Sequence, residues 1–178
     1  MKLGKILFVV KRRCLSFVNY FDATKYTVMY SDALIKQGMR IDRYPKYIDP
    51  SVWFDGIDGN RGYTYISIGK DCVLSRDVVI LIHDYSISRG LEAIGKLDPC
   101  VDHEVRFERF VNIGKNCFIG ARSVILPGTT IGDNCIVGAG SVVRGNIPSN
   151  SVITGNPAII VAETIEWTKK REQFAIQE

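Results

Sequence analysis

The sequence predicts an all-β solenoid, a parallel β-helix of six-residue repeats, and three observations predict it. Aliphatic residues recur every sixth position at Ile113, Ile119, Ile125, Ile131, Val137 and Val143, and all of them are β-branched. Four residues after each stands a small residue, Cys117, Ser123, Thr129, Cys135 and Ser141, with Ile147 the exception. Shifted by eighteen residues, IGKNCFIGARSVIL overlies IGDNCIVGAGSVVR with eight identities in fourteen positions. A period of six fits neither the alternation of an ordinary strand nor the 3.6 of a helix. It fits a coil of three short strands, each sending one aliphatic side chain to a shared axis, with the small residue filling a narrow corner. Stacked coils bury a continuous column, and a fixed short period marks such a solenoid.

Composition narrows the classes. The chain has 178 residues, 46% hydrophobic and 24% charged, with a formal net charge of +4. That describes one ordinary domain with small appendages. The basic excess is too small and too dispersed for a nucleic-acid surface. The five cysteines are an odd number, and Cys72, Cys117 and Cys135 fall on the small inward position. They read as reduced space-fillers in a reducing compartment rather than as a disulfide framework. Neither a C-x-x-C pair nor a Cys/His cluster stands out, so no metal is expected. The apolar run from Ile6 to Val10 is too short to span a bilayer and lacks the features of a signal peptide. The expected location is cytoplasmic, with the inner face of a membrane left open.

Taken in order, residues 1–39 form an N-terminal helical segment. Leu3, Ile6, Leu7, Val10, Cys14 and Val18 follow helical spacing over 2–20, with Lys2, Lys5, Arg12 and Arg13 mostly elsewhere. Such a stripe packs on its own protein or rests on an anionic membrane surface. A second helix spans Lys25 to Gln37 and ends at Gly38, a fitting C-cap. Residues 40–158 form the solenoid. Its first coils are irregular, and the register is clear by Ile68, Leu74 and Ile80. Between about 85 and 106 the six-residue pattern is lost, which marks a projecting loop; long insertions in compact domains are commonly functional. Residues 159–178 have helical composition and would cap the open end of the core, whose strand edges would otherwise be exposed.

Two histidines exist, His83 and His103, and His83 stands where a regular coil ends and the loop begins. The segment VVILIHDYS resembles the strand–histidine–loop segment of sugar and xenobiotic O-acetyltransferases. The repeat itself resembles the left-handed β-helix, or hexapeptide-repeat, acyltransferases. The left-handed turn is implied by that resemblance alone. The resemblance covers about residues 40–157 and makes His83 the general base, a task that suits an imidazole titrating near neutrality. It implies a polar residue two coils before the histidine that orients the acceptor, and counting back places Asp55 there. Asp84 would orient His83 or simply occupy a corner. His103 and Glu104 are expected in a solvated loop.

The same resemblance implies acetyl-CoA as cosubstrate, a homotrimer, and a donor groove between subunits. Matching FIGAR and VGAGSVV puts Gly120, Ala121, Gly138, Ala139 and Ser141 along that groove, where backbone amides would polarise the thioester oxygen. The repeat demands small residues at these positions in any case. Arg144 stands where relatives carry a lysine and would meet a CoA phosphate. Three departures touch donor and acceptor contacts: Arg144-Gly145 replaces Thr-Lys, AIIVAE after Gly155–Pro157 carries no basic residue, and Phe118 replaces a tryptophan. The expected activity is O-acetylation of a sugar hydroxyl in surface polysaccharide or lipopolysaccharide assembly. N-acetylation of a nucleotide-linked amino sugar and a catalytically silent scaffold are the alternatives. A zinc carbonic anhydrase on this scaffold would need three histidines.

Overall fold

The β-branched residues at every sixth position turn inward and stack in columns. Ile119 and Leu74 are paired neighbours on one face, Ile125 and Ile80 on the next, and all are fully buried. The structure, a computed structural model, describes residues 13–56, 63–98 and 103–176. Its strands form a left-handed β-helix with three faces. The first is a five-stranded sheet from Arg40–Ile41 to Asn146–Ile147. The second begins at Tyr47–Ile48 and has six strands, and the third runs from Trp53–Phe54 to Val142–Val143 with four. Within these faces pairing is parallel, apart from the last strand of the second. The offset between coils is eighteen residues where Asn112 pairs with Thr130, and sixteen where Thr130 pairs with Asn146. The short corner at Arg144-Gly145, with Gly145 at φ 80°, absorbs that slip.

Two polar columns fix the corner between the first and second faces. Asp71, Asn116, Asn134 and Asn150 all adopt positive φ, a region that Asn and Asp tolerate better than most residues. The Asn116 side-chain amide donates to Asn134, and Asn134 to Asn150, each at 3.0 Å. Inside the same corner the Cys72, Cys117 and Cys135 thiols donate to the carbonyls of Gly114, Gly132 and Pro148 at 3.0, 3.1 and 3.2 Å. Hydrogen bonding with Cys117, and then burial, pushes the Cys135 thiol well above its ordinary value.

The appendages depart from the sequence-based boundaries. The described part of the first helix covers 13–21; residues 1–12 of the expected helix lie outside the described residues. Leu15 is buried and Val18 packs on the core, while Phe17, Tyr20 and Phe21 are exposed. The second helix is Ala23–Ile35, starting earlier than expected because Asp22 caps it by accepting from the Lys25 amide. The loop is not structureless: it carries a helix, Ser86–Ala93. Its base is an antiparallel pair that sets His83 opposite Glu108 and Asp84 opposite Phe107. The C-terminal expectation requires correction. Ala158–Glu163 is a strand, antiparallel to Ser151–Gly155 on the last coil, and the helix is only Thr164–Lys169. The run AIIVA is rich in β-branched residues, and an unpaired strand edge was available to it.

Candidate active site

Parallel stacking sets the Trp53–Phe54 strand directly against Val79–Ile80. The residues that leave these two strands at the same corner are therefore Asp55 and His83. Asp55 is on the coil adjacent to the histidine, not two coils away. The Asp55 carboxylate Oδ2 lies 2.7 Å from His83 Nδ1 and 3.1 Å from the Ile82 amide, from which it also accepts. Asp55 is buried and His83 half-buried. A carboxylate at this distance accepts from Nδ1–H, which leaves Nε2 as the nitrogen able to take a proton. Asp55 thus holds the imidazole, and of the two expectations for Asp84, orienting His83 or occupying a corner, the geometry favours the second. Asp84 instead accepts from the Ser86 amide at 2.8 Å. The bond from the Ser86 backbone holds the Asp84 carboxyl below the usual carboxylate range.

The far side of the imidazole is built by residues that sequence reasoning missed. The Tyr85 ring meets His83 edge-on with centroids 5.1 Å apart. Arg106 donates to the Tyr85 hydroxyl at 2.7 Å and to Glu108, the residue opposite His83, at 2.6 Å. The strand here is only Phe107–Glu108, and the surrounding RFERF does not alternate, so no period in the sequence announced it. His103 and Glu104 are exposed, and Glu104 pairs with Arg89 at 2.6 Å.

The expected donor residues occupy a different corner, between the second and third faces. Gly120 and Gly138 have no room for a side chain, since a Cβ would stand 2.6 Å from Val137 O or Thr154 Oγ1 respectively. Their amides are engaged by the Val137 and Ile153 carbonyls. Ser141 is fully buried; its hydroxyl donates to Gly138 O at 2.6 Å and accepts from the Gly155 amide. Its side chain is therefore spent inside the coil, and what this position offers a ligand is backbone. The Ala121 and Ala139 amides have no acceptor among the described residues. Arg144 lies past the Val142–Val143 strand, at the corner shared with His83 rather than beside Gly138.

A half-buried imidazole held by a buried carboxylate thus stands on the corner of a six-residue-repeat β-helix. A family model described as the hexapeptide repeat of succinyl-transferase matches residues 110–144. A protein of Escherichia coli K12, provisionally named for O-acetyl transfer in lipopolysaccharide biosynthesis, is 34% identical over 142 residues, covering 76% of this chain and 71% of the relative. Protein CapG of Staphylococcus aureus is 44% identical over 115 residues, covering 59% of this chain and 62% of its own length. The chain belongs to the hexapeptide-repeat acyltransferase family. Its fold is shared with a galactoside acetyltransferase solved with coenzyme A, at a TM-score of 0.59 and 23% identity, over 95% of this chain and 86% of that one. Among the described residues no helix is long and apolar enough to cross a membrane.

Proposed function

We propose that the protein is an acetyl-CoA-dependent O-acetyltransferase that modifies a sugar hydroxyl in surface polysaccharide or lipopolysaccharide assembly. The Asp55–His83 pair carries this reading: its carboxylate engages Nδ1, which leaves Nε2 to act as the base. His83 Nε2 takes the hydroxyl proton as the acceptor oxygen bonds to the thioester carbonyl carbon. Backbone amides of the Ala121 and Ala139 type stabilise the oxyanion. The intermediate then collapses, the C–S bond breaks, and the proton on His83 passes to the departing thiolate, giving CoA and the acetyl ester. The names of the relatives support the acetyl donor and the polysaccharide setting.

His83 and the alanine amides occupy different corners, so one chain does not bring them together. A second copy that offers its alanine corner to this chain's histidine corner completes the site, and a homotrimer does so symmetrically. The reaction places the protein where acetyl-CoA is made, in the cytoplasm. A peripheral contact of residues 2–20 with the inner membrane face is part of this reading, and the exposure of Phe17 and Tyr20 supports it.

The test is the melting temperature with and without millimolar acetyl-CoA, followed by thiol-release assays over a panel of hydroxyl and amino sugars. A ligand that binds only the folded state at a hundredfold excess over Kd adds about 2.7 kcal/mol. A folded protein that shows no shift, and no acyl transfer to any hydroxyl, would leave the scaffold reading in front.

A further inference from the structure

A cleft of about 390 Å³ opens on the same corner as His83, lined by Asp84, Phe107, Arg109, Pro127 and Arg144 among others. Its two cations come from different coils. The Arg109 amide donates to the Ile82 carbonyl at 2.8 Å, which fixes Arg109 one pairing position from the base. Its stem lies against Gly128, where an added Cβ would stand 3.0 Å from Arg109 Cδ, and its guanidinium lies over the Phe107 ring at 5.4 Å. Arg144 is exposed at the tight corner of a later coil. Neither guanidinium has a carboxylate partner among the described residues, although Arg89 and Arg106 in the same loop both do. Asp84 is the one acidic residue among those lining the cleft, and it is turned to the Ser86 amide.

From this placement we infer that the acceptor is a phosphate-bearing sugar, whose phosphoryl group is held by Arg109 and Arg144 while its hydroxyl meets His83. Guanidinium groups match phosphate oxygens in geometry as well as in charge. Strands on one face stack about 4.8 Å apart, so a ligand reaching from the coil of His83 to that of Arg144 spans about 10 Å. A hexose phosphate has that reach. The phosphates of CoA are the other source of the same chemistry. The pantetheine arm, as long as about four extended residues, separates them from the thioester by about 13 Å. A phosphate held by Arg109, next to the base, therefore belongs to the acceptor.

This inference rests on the transferase reading for the role of His83, but its test does not. Affinities of the full-length wild type and of the R109Q and R144Q variants would be measured by thermal shift. The probes are glucose 1-phosphate, methyl glucoside, acetyl-CoA, CoA and pantetheine. The expected result is stabilisation by glucose 1-phosphate but not by methyl glucoside. Each substitution should weaken glucose 1-phosphate at least tenfold while changing acetyl-CoA affinity less than twofold. Equal response to the phosphorylated and neutral sugars would overturn the inference. So would variants that lose CoA affinity while keeping pantetheine affinity, since the cleft would then serve the donor. A wild type that binds glucose 1-phosphate but no acetyl-CoA would sink the transferase reading and leave the phosphate site standing.

Discussion

Asp55 Oδ2 sits 2.7 Å from His83 Nδ1 across two adjacent coils, and the same oxygen accepts from the Ile82 amide. The carboxylate therefore aligns the imidazole and the backbone that carries it. If His83 is the base proposed above, His83→Ala should lower turnover by roughly two to four orders of magnitude. Asp55→Ala should cost about one to three orders in kcat with little change in KM, because it loosens the base without touching the substrates. Initial rates of thiol release against both substrates would check this. An Asp55→Ala enzyme with native kcat would remove the carboxylate from the mechanism.

Packing between coils yields a paired prediction. At Gly120 a Cβ would meet backbone atoms at 2.6 Å, whereas at Gly90, within the loop helix, it would meet nothing within 4 Å. Gly120→Ala should destabilise by about 1–3 kcal/mol. Gly90→Ala should stabilise by about 0.5–1 kcal/mol, because glycine loses more backbone freedom in a helix. Denaturant midpoints at one fixed protein concentration would reveal both signs. Equal midpoints for the two variants would refute the close approach of the coils at Gly120.

The buried thiols can be counted in solution. Cys72, Cys117 and Cys135 are buried and Cys14 is exposed. A thiol whose pKa is raised in the fold favours the folded state fully below its unfolded value. That contribution is lost as pH rises toward the folded value. Cys135, with its raised pKa, should thus make stability decline above about pH 8.5, and a Cys135→Ser variant should show a shallower decline. In titration with an aromatic disulfide at pH 8, three of the five thiols should react only after unfolding. Rapid reaction of all five in the native protein would contradict the packed corner.

The loop helix supplies an acid-side prediction. The Asp84 carboxyl is held below the usual range by its bond from the Ser86 amide. Its contribution is present above the unfolded pKa, near 4, and is lost as pH falls through the lower folded value. Hydrogen-exchange protection over residues 86–93, corrected for the intrinsic pH dependence of amide exchange, should fall on acidification through that window. Asp84→Ala should show the faster exchange already at pH 7. Exchange that ignores both pH and the substitution would remove Asp84 as the anchor of the helix.

The repeat was legible because each inward position recurs: Ile119 and Val137 report the same environment a coil apart, so error at one is corrected by the others. The partner of His83 was not legible in this way. Tyr47 pairs with Val73, an offset of 26 rather than eighteen residues. That irregular insertion between the first two coils upset the count that had placed Asp55 two coils away. Arg109 was missed for a related reason. Its approach to His83 depends on a two-residue antiparallel pair closing a long loop, and no period carries that information. The C-terminal strand had helical composition in its flanks, and tertiary context decided: the free edge at Ser151–Gly155 recruited Ala158–Glu163.

The separation of the two half-sites leads to a complementation experiment. His83 leaves the strand Val79–Ile80 at one corner, and Ala139 leaves Ile136–Val137 at another. Ala139 is exposed, so Ala139→Trp should fold while blocking the proposed donor groove. His83→Ala keeps that groove and loses the base. Each variant alone should be nearly inactive. If each site uses His83 of one subunit and the groove of the next, random mixed trimers contain sites that draw an intact half from each variant. About a quarter of sites qualify, so activity should return to about a quarter of wild type after the variants are unfolded and refolded together. Separately refolded samples mixed afterwards should stay inactive. No recovery in verified mixed trimers would mean that each chain carries its own complete site.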